Sequence, residues 1–216
     1  GNSFEFRLKI EDFSGDEKKQ SAVMSGFAKG DDKTLVQYEE PASMKGKRLL
    51  MADNDFYVFL PATRRPVRMT PSQRLMGQAS NGDVMSVRFQ TDYSASLGGE
   101  EAVKTENGET RCAVLELNAK RKGTTYSRIT LRIDAESGYP VQAECFALSG
   151  KKMKTIEYSL PREFEGKRIV SKAVLVDHVN EGNYTVIEFL DMRNADIPDA
   201  YFNKEYLVRM QAREER

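Results

Sequence analysis

The stretch that decides the fold is Phe56–Gly77, FYVFLPATRRPVRMTPSQRLMG. Five consecutive apolar or aromatic residues, Phe56 to Leu60, run into Pro61, and a basic hairpin carrying Arg64, Arg65 and Arg68 follows. Thr70-Pro71-Ser72-Gln73 then has the form of a helix start. The threonine caps, the proline suits the first helical position, and the glutamine reaches back to the cap. Gly77 stands where a short helix closes in a left-handed residue. The segment is therefore predicted to pass from strand to strand to helix.

Upstream, Phe4, Phe6, Leu8 and Ile10 alternate with Glu5, Arg7, Lys9 and Glu11. That period of two marks a half-buried strand. Further strands are predicted over 19–28, 34–39 and 48–52. Downstream, Ser80 and Asp83 resemble a capping box, and Val84, Met85, Phe89 and Tyr93 give helical spacing over 81–92. Leu97-Gly98-Gly99 closes this helical insert, which spans about 70–99. Strands follow over 110–118, 125–134, 141–148, 152–160, 168–177 and 183–192, with 161–166 as a longer connection. Pro198 opens a final short helix with Tyr201 and Phe202, and residues from about 209 to 216 are expected to form a charged, frayed tail. Turn signals every ten or so residues indicate an antiparallel meander and not βαβ units. The expected fold is mainly β: a single domain over 1–216, a curled sheet of about eleven to twelve strands, and a helical lid inserted mid-chain.

The chain has 33 basic and 33 acidic residues among 216, interspersed, for a formal net charge of zero. A nucleic-acid partner normally requires a basic excess or stripe, so none is expected. Mean hydropathy is −0.59, and no apolar run is long enough for a membrane-spanning helix. The chain starts at Gly1 without methionine, and a removed signal segment is expected. Cys112 and Cys145 are predicted to lie two strands apart. At about 4.8 Å per strand this exceeds the reach of a disulfide, so two free, partly buried thiols are expected.

His178 is the single histidine and follows Asp177; adjacent strand residues point to opposite faces, so the two do not form a dyad. One histidine and two separated cysteines give no zinc spacing. The Asp53-Asn54-Asp55 triplet lacks the later glycine and glutamate of a calcium loop. Glu39-Glu40 and Glu100-Glu101 fall in turns or loops, where solvated charge is the ordinary role. No enzyme activity, cofactor or metal is expected. What the strands do show is apolar residues on both faces, at Phe56–Leu60 and in Ala173–Val176. A second cover is required there. Periodicity leaves two readings open: a concave face that holds an apolar guest, or a solid core completed by the 81–92 helix.

The segment FYVFLPATRRPVRMTPSQRLMG resembles the hallmark stretch of the bacterial outer-membrane lipoprotein-sorting protein family, in the LolA-like superfamily. The likeness lies in an aromatic strand, a Leu-Pro-Ala-x-Arg-Arg-x-x-Arg hairpin, then Ser-Gln-Arg and Met-Gly. Phe56 and Tyr57 stand where the family commonly has tryptophan. Pro41 and the Lys-Gly-x-x-Leu-Leu of Lys45–Leu50 resemble a second family segment. The resemblance implies an open, incomplete antiparallel barrel whose helical lid covers a cavity for lipid acyl chains. It also implies an exported protein, periplasmic or outer-membrane-associated, that cooperates with an inner-membrane transporter of the resistance-nodulation-division type. On that basis the candidate cavity residues are Val58, Leu60, Leu115, Leu117, Ile129, Leu131, Ile133, Ile187 and Phe189, with Leu75, Met76, Met85 and Phe89 from the lid. Arg64, Arg65, Arg68 and Arg74 are the candidates for contact with a partner or a lipid head group. A non-carrier sensor or adaptor on the same fold is the alternative.

Overall fold

The alternation at the N-terminus becomes β1 (Ser3–Ser14), and the chain continues through β2 (Glu17–Lys29), β3 (Lys33–Glu40), β4 (Arg48–Ala52), β5 (Asp55–Leu60) and β6 (Arg65–Arg68). After a one-turn helix, α1 (Phe89–Asp92), come β7 (Tyr93–Thr105), β8 (Gly108–Ala119), β9 (Arg128–Asp134), β10 (Pro140–Phe146) and β11 (Lys152–Tyr158). A small hairpin, β12 (Pro161–Phe164) and β13 (Lys167–Val170), precedes β14 (Lys172–Asp177) and β15 (Asn183–Asn194). A 3₁₀ turn (Asp199–Phe202) and α2 (Lys204–Glu214) end the chain. These elements come from a computed structural model that describes residues 3–53, 55–69, 89–105, 108–159 and 161–214.

Thirteen strands form one open antiparallel sheet in the order β6-β5-β4-β3-β2-β1-β15-β14-β11-β10-β9-β8-β7. Nearly every neighbour in space is a neighbour in sequence, as short turns dictate. The exception that joins the halves is β1 against β15, from Phe4 opposite Asn194 to Ser14 opposite Asn183. Both free edges, β6 and β7, flank the same connection, so the predicted lid helices at 70–88 fall between them in sequence. Those residues lie outside the described ones.

Directly opposed residues share a face, and the register therefore traces one inner surface across the sheet. Ile10 faces Ile187, Ile187 faces Ala173, Leu175 faces Ile156, Ile156 faces Ala143, Ala143 faces Leu131 and Leu131 faces Leu115. Two apolar clusters lie on this surface. One gathers Phe6, Leu8, Ile10, Met24, Val36, Leu49 and Phe56; the other gathers Leu117, Ile129, Leu131, Ala143, Ile156 and Leu175, and Ile187 packs against both. A third cluster lies on the opposite, outer face of β3–β5, where Leu35, Leu50 and Phe59 meet Ile197, Phe202 and Leu207.

That third cluster explains the doubly apolar β5. Phe56 and Val58 face inward, whereas Tyr57 and Phe59 face the C-terminal elements. The second cover is thus α2 on the outside, so the pattern is not a sign of a guest on the inside. It also corrects the frayed tail expected from 209 onward. Residues 204–214 are helical, because Leu207 is fully buried and the helix sits on a buried guanidinium. Arg48 donates from Nε to Gln37 at 2.9 Å and from Nη1 to Gln211 at 3.2 Å, and its guanidinium lies 5.2 Å from the Phe59 ring centroid.

The helical insert also ends earlier than the expected boundary at 99. Tyr93 already begins β7, which pairs with β8 through to Thr105. Gly98-Gly99 is no terminator; the register shifts between Leu97 and Gly99, and Gly99 takes φ +122°, a glycine-permitted bulge. The expected strand 168–177 is likewise two strands broken at the buried Ser171. Cys112 and Cys145 are both free and buried, with β9 between their strands and their side chains on opposite faces, since Cys145 opposes Ile129 and Cys112 opposes Asp134.

At Gly26 the ring of Phe6 lies over the bare backbone, and a Cβ there would stand 2.5 Å from the Leu35 carbonyl oxygen and 2.6 Å from Phe6 Cζ. One of these contacts is main chain and cannot give way cheaply. Gly26→Ala is expected to cost about 2 kcal/mol and to lower the melting midpoint by about 4–8 °C; calorimetry showing no change would disprove the close fit.

Candidate functional site

The middle of the inner face is closed. Leu8 and Met24 are 2% and 1% exposed, and Ile129 and Ala143 are not exposed at all. Open apolar space appears where β1 begins and β15 ends. There Phe4 and Phe189 flank Phe6 at centroid distances of 6.1 and 5.8 Å, and the β12–β13 hairpin folds over them. It encloses a cleft of about 300 Å³ walled by Phe4, Phe164, Ile169, Val170, Phe189 and Met192, with Glu165, Lys167, Arg193 and Asn194 around the rim. Clefts on the outer face, at Glu5–Arg7 and at Val103–Thr105, are smaller, about 220 and 100 Å³.

The hairpin is built for a tight reversal. Glu165 and Gly166 are its two turn residues, with φ of +46° and +76°, the pairing of left-handed residues that matches strand twist. Polar contacts hold it down. The Glu165 carboxylate accepts from the backbone N–H and the side-chain amide of Asn194, the latter at 3.0 Å. Lys167 Nζ donates to Asn194 Oδ1 at 2.9 Å, and the Tyr139 hydroxyl donates to the Arg168 carbonyl at 3.0 Å. Arg162 lies 3.6 Å from Glu188. Exposed contacts of this kind are individually weak, whereas the base of the hairpin is fixed by the Phe189 N–H to Ser171 carbonyl bond at 2.7 Å.

Comparison with known proteins matches this architecture. The chain is 30% identical to a LolA superfamily protein from Nitrosomonas europaea, with a TM-score of 0.84 over 95% of this chain and 91% of that one. It belongs to the LolA superfamily. A family model described only as "Uncharacterized protein" matches residues 30–209. The LolA-like fold is shared at 19% identity with an outer membrane lipoprotein-sorting protein domain from Vibrio parahaemolyticus, TM-score 0.82, covering 96% of this chain and 92% of that one. It is shared at 22% identity with a DUF1329 family protein from Desulfovibrio piger, TM-score 0.81, covering 95% and 91%. No curated protein matches the chain.

On this LolA-like sheet the expected cavity residues fall as follows. Leu115, Leu117, Ile129, Leu131, Ile133 and Ile187 lie on the inner face in or against the second cluster, and Phe89 packs there too. Val58 and Phe189 pack against the first cluster, and among the described members of the expected set Phe189 alone reaches the cleft. Leu60 is 42% exposed near the β6 edge and joins neither cluster. Leu75, Met76, Met85 and Arg74 lie outside the described residues. Arg64 sits in the β5–β6 turn at φ +52°, Arg65 and Arg68 are exposed on β6, and Arg68 pairs with Asp55. Sequence reasoning missed Phe4, Phe164, Ile169, Val170 and Met192 as cleft walls. For the hairpin residues the signal was the two-residue Glu165-Gly166 step, a turn pattern read instead as the end of a connection.

His178 is exposed, within 2.8 Å of Thr155 Oγ1. Asp177 is buried and turns to its own loop, accepting from the Val179 and Asn180 N–H groups at 2.7 and 3.1 Å. Burial pushes the Asp177 carboxyl up, yet these bonds and the Asn180 amide hold it below the usual carboxylate range. Among the described residues no His, Cys, Asp and Glu side chains gather as a metal site, and no helix is long and apolar enough to cross a membrane.

Because Glu165 supplies two of the hairpin's anchors, Glu165→Ala should loosen the flap and leave the sheet intact. Hydrogen exchange across 161–170 is expected to rise at least tenfold, with the melting midpoint within about 3 °C of the parent. Unchanged protection would show that the flap is held by something else.

Proposed function

We propose that the protein binds an acyl chain of a lipid or lipoprotein and carries it in lipoprotein sorting or lipid transport, without catalysing a reaction. The observation that supports this best is the apolar cleft of about 300 Å³ beneath a polar-latched hairpin. Its volume is at the small end of ligand sites, and its walls are aromatic, branched and thioether side chains with the polar groups confined to the rim. Such a site holds a guest by burial, at about 25 cal/mol per Å² of apolar area, and is indifferent to chemical detail along the chain. Met192 suits a variable guest because its side chain adapts. The weakly anchored flap offers a way in without breaking the sheet. The superfamily and the lipoprotein-sorting domain that shares the fold support the same reading, with an exported protein working in the periplasm or at the outer membrane.

Ile169 stands on the hairpin, away from the sheet core, so Ile169→Asp is expected to preserve the fold while weakening a fluorescent acyl probe at least tenfold. Native mass spectrometry of the purified protein is expected to show co-purified lipid. Absence of lipid together with no probe binding would refute the carrier role.

A second reading is a non-carrier sensor or adaptor of a resistance-nodulation-division transporter, favoured by the exposed Arg64, Arg65 and Arg68 at the β6 edge. An Arg64→Glu/Arg65→Glu double variant is then expected to lose most of the membrane-protein recovery seen with the parent in affinity capture. Equal recovery would rule that contact out.

A further inference from the structure

Among the described residues the inner face is mainly apolar but carries two lysines: Lys154, buried and opposite the Asp177 carboxylate, and Lys47. Lys47 immediately precedes β4, and its backbone carbonyl accepts the Tyr38 N–H at 2.9 Å. Its side chain alternates inward with Leu49 and Met51, and the ammonium lies 4.8 Å from the centroid of the Tyr38 ring. Several strand arginines and lysines are matched to oxygen acceptors, as Arg48 is to Gln37, Arg128 to Glu116 and Lys152 to Glu144. Lys47 has no carboxylate or carbonyl partner among the described residues. Tyr38 beside it is 7% exposed, and its hydroxyl makes no hydrogen bond to another described group. Two donors thus stand side by side without a described acceptor, at a half-buried place where they can still turn to a ligand.

Position gives these donors a direction. Tyr38 opposes Met24, Met24 opposes Leu8, and Leu8 opposes Phe189. Lys47 therefore begins a row that crosses the sheet and ends at Phe189, a wall of the apolar cleft. Four strand spacings separate the ends, roughly 19 Å at the usual ~4.8 Å per strand. Lys47 and Phe189 are the polar and apolar poles of that row.

We propose that Lys47 and Tyr38 form an anion-binding subsite that takes the carboxylate or phosphate head of an amphiphile whose tail points along this row toward the cleft. The inference rests on the acyl-binding reading above and adds a chemical class to it: an anionic, single-headed amphiphile and not a neutral one. Lys47 supplies charge and Tyr38 a neutral hydroxyl. Burial pushes Tyr38 up to about 12, the Asp12 carboxylate adding to the effect, so the phenol keeps its proton. Asp12 itself faces the same end but is engaged by the Thr185 hydroxyl at 2.6 Å. Burial alone holds Lys47 below the ordinary lysine range, which a bound anion would reverse. The row is closed at Met24 and Leu8, so a tail enters by displacement: Met44 packs against the first cluster and Met24 lies within it, and both side chains adapt readily.

The test compares a polyene fatty acid with its methyl ester on the purified protein, read by fluorescence, with inorganic phosphate and acetate as tail-less competitors. Lys47→Met keeps the alkyl stem over Tyr38 and removes the charge; Lys47→Arg keeps the charge. The acid is expected to bind the Met variant about tenfold more weakly and Tyr38→Phe about threefold more weakly. The ester should be unaffected in both, and the Arg variant should retain most of the acid affinity. Equal effects on acid and ester, or no effect on either, overturn the subsite while leaving the carrier reading standing. Competition by phosphate or acetate as strong as by the fatty acid overturns the amphiphile assignment. Failure of acid and ester alike to bind the parent protein removes the carrier reading and the subsite together.

Discussion

Everything in this molecule hangs on the seam between its first and last strands. Two sequential meanders, β6 to β1 and β15 to β7, would be separate half-sheets with exposed edges without the pairing of β1 with β15. The seam carries Ile187, which packs into both inner clusters, and it sets Phe4, Phe189 and Met192 beside one another at the cleft. It is also the costliest contact to form. Its partners are separated by nearly the whole chain, so loop-closure entropy must be met before any pairing is gained. Until residues 183–194 are available, β1 presents an open edge, the kind of surface on which incomplete chains aggregate.

The fold itself was largely legible. Strict alternation in Phe4–Glu11 and in Arg128–Asp134, with turn residues between strands, was enough to give a long antiparallel meander. What failed did so for identifiable reasons. Gly98-Gly99 has the composition of a terminator and the conformation of a bulge, and sequence alone does not separate the two. Residues 204–214 are charged and weakly amphipathic, and nothing local announces that Leu207 and Gln211 meet a guanidinium on β4. A buried cation such as Arg48 persists only with its donors satisfied, and the helix that satisfies them lies some 160 positions later. Tertiary context decided what propensity left open.

The site was legible in a coarser way. Alternation identifies Leu115, Leu117, Ile129, Leu131, Ile133 and Ile187 as one face, but a face is not a pocket, and the middle of this one is closed. Open space depends on a hairpin whose apolar residues are too few to register as periodicity. Among the described candidates Phe189 alone lies at the cleft. Apolar period reports burial, whereas a binding site is a local failure of burial, and the two signals have opposite sign.

The β12–β13 hairpin departs from the sheet and returns to it almost at the same point. β11 and β14 are direct neighbours, Tyr158 opposes Ala173, and the Ser159 N–H reaches the Lys172 carbonyl at 2.9 Å. The twelve or so residues between are an appendix to a ladder that is complete without them. A short turn could bridge the gap with every register preserved. The wall that shapes the cleft can thus be lengthened, shortened or exchanged independently of the scaffold, and related sheets can diverge in what they hold while remaining identical in how they fold.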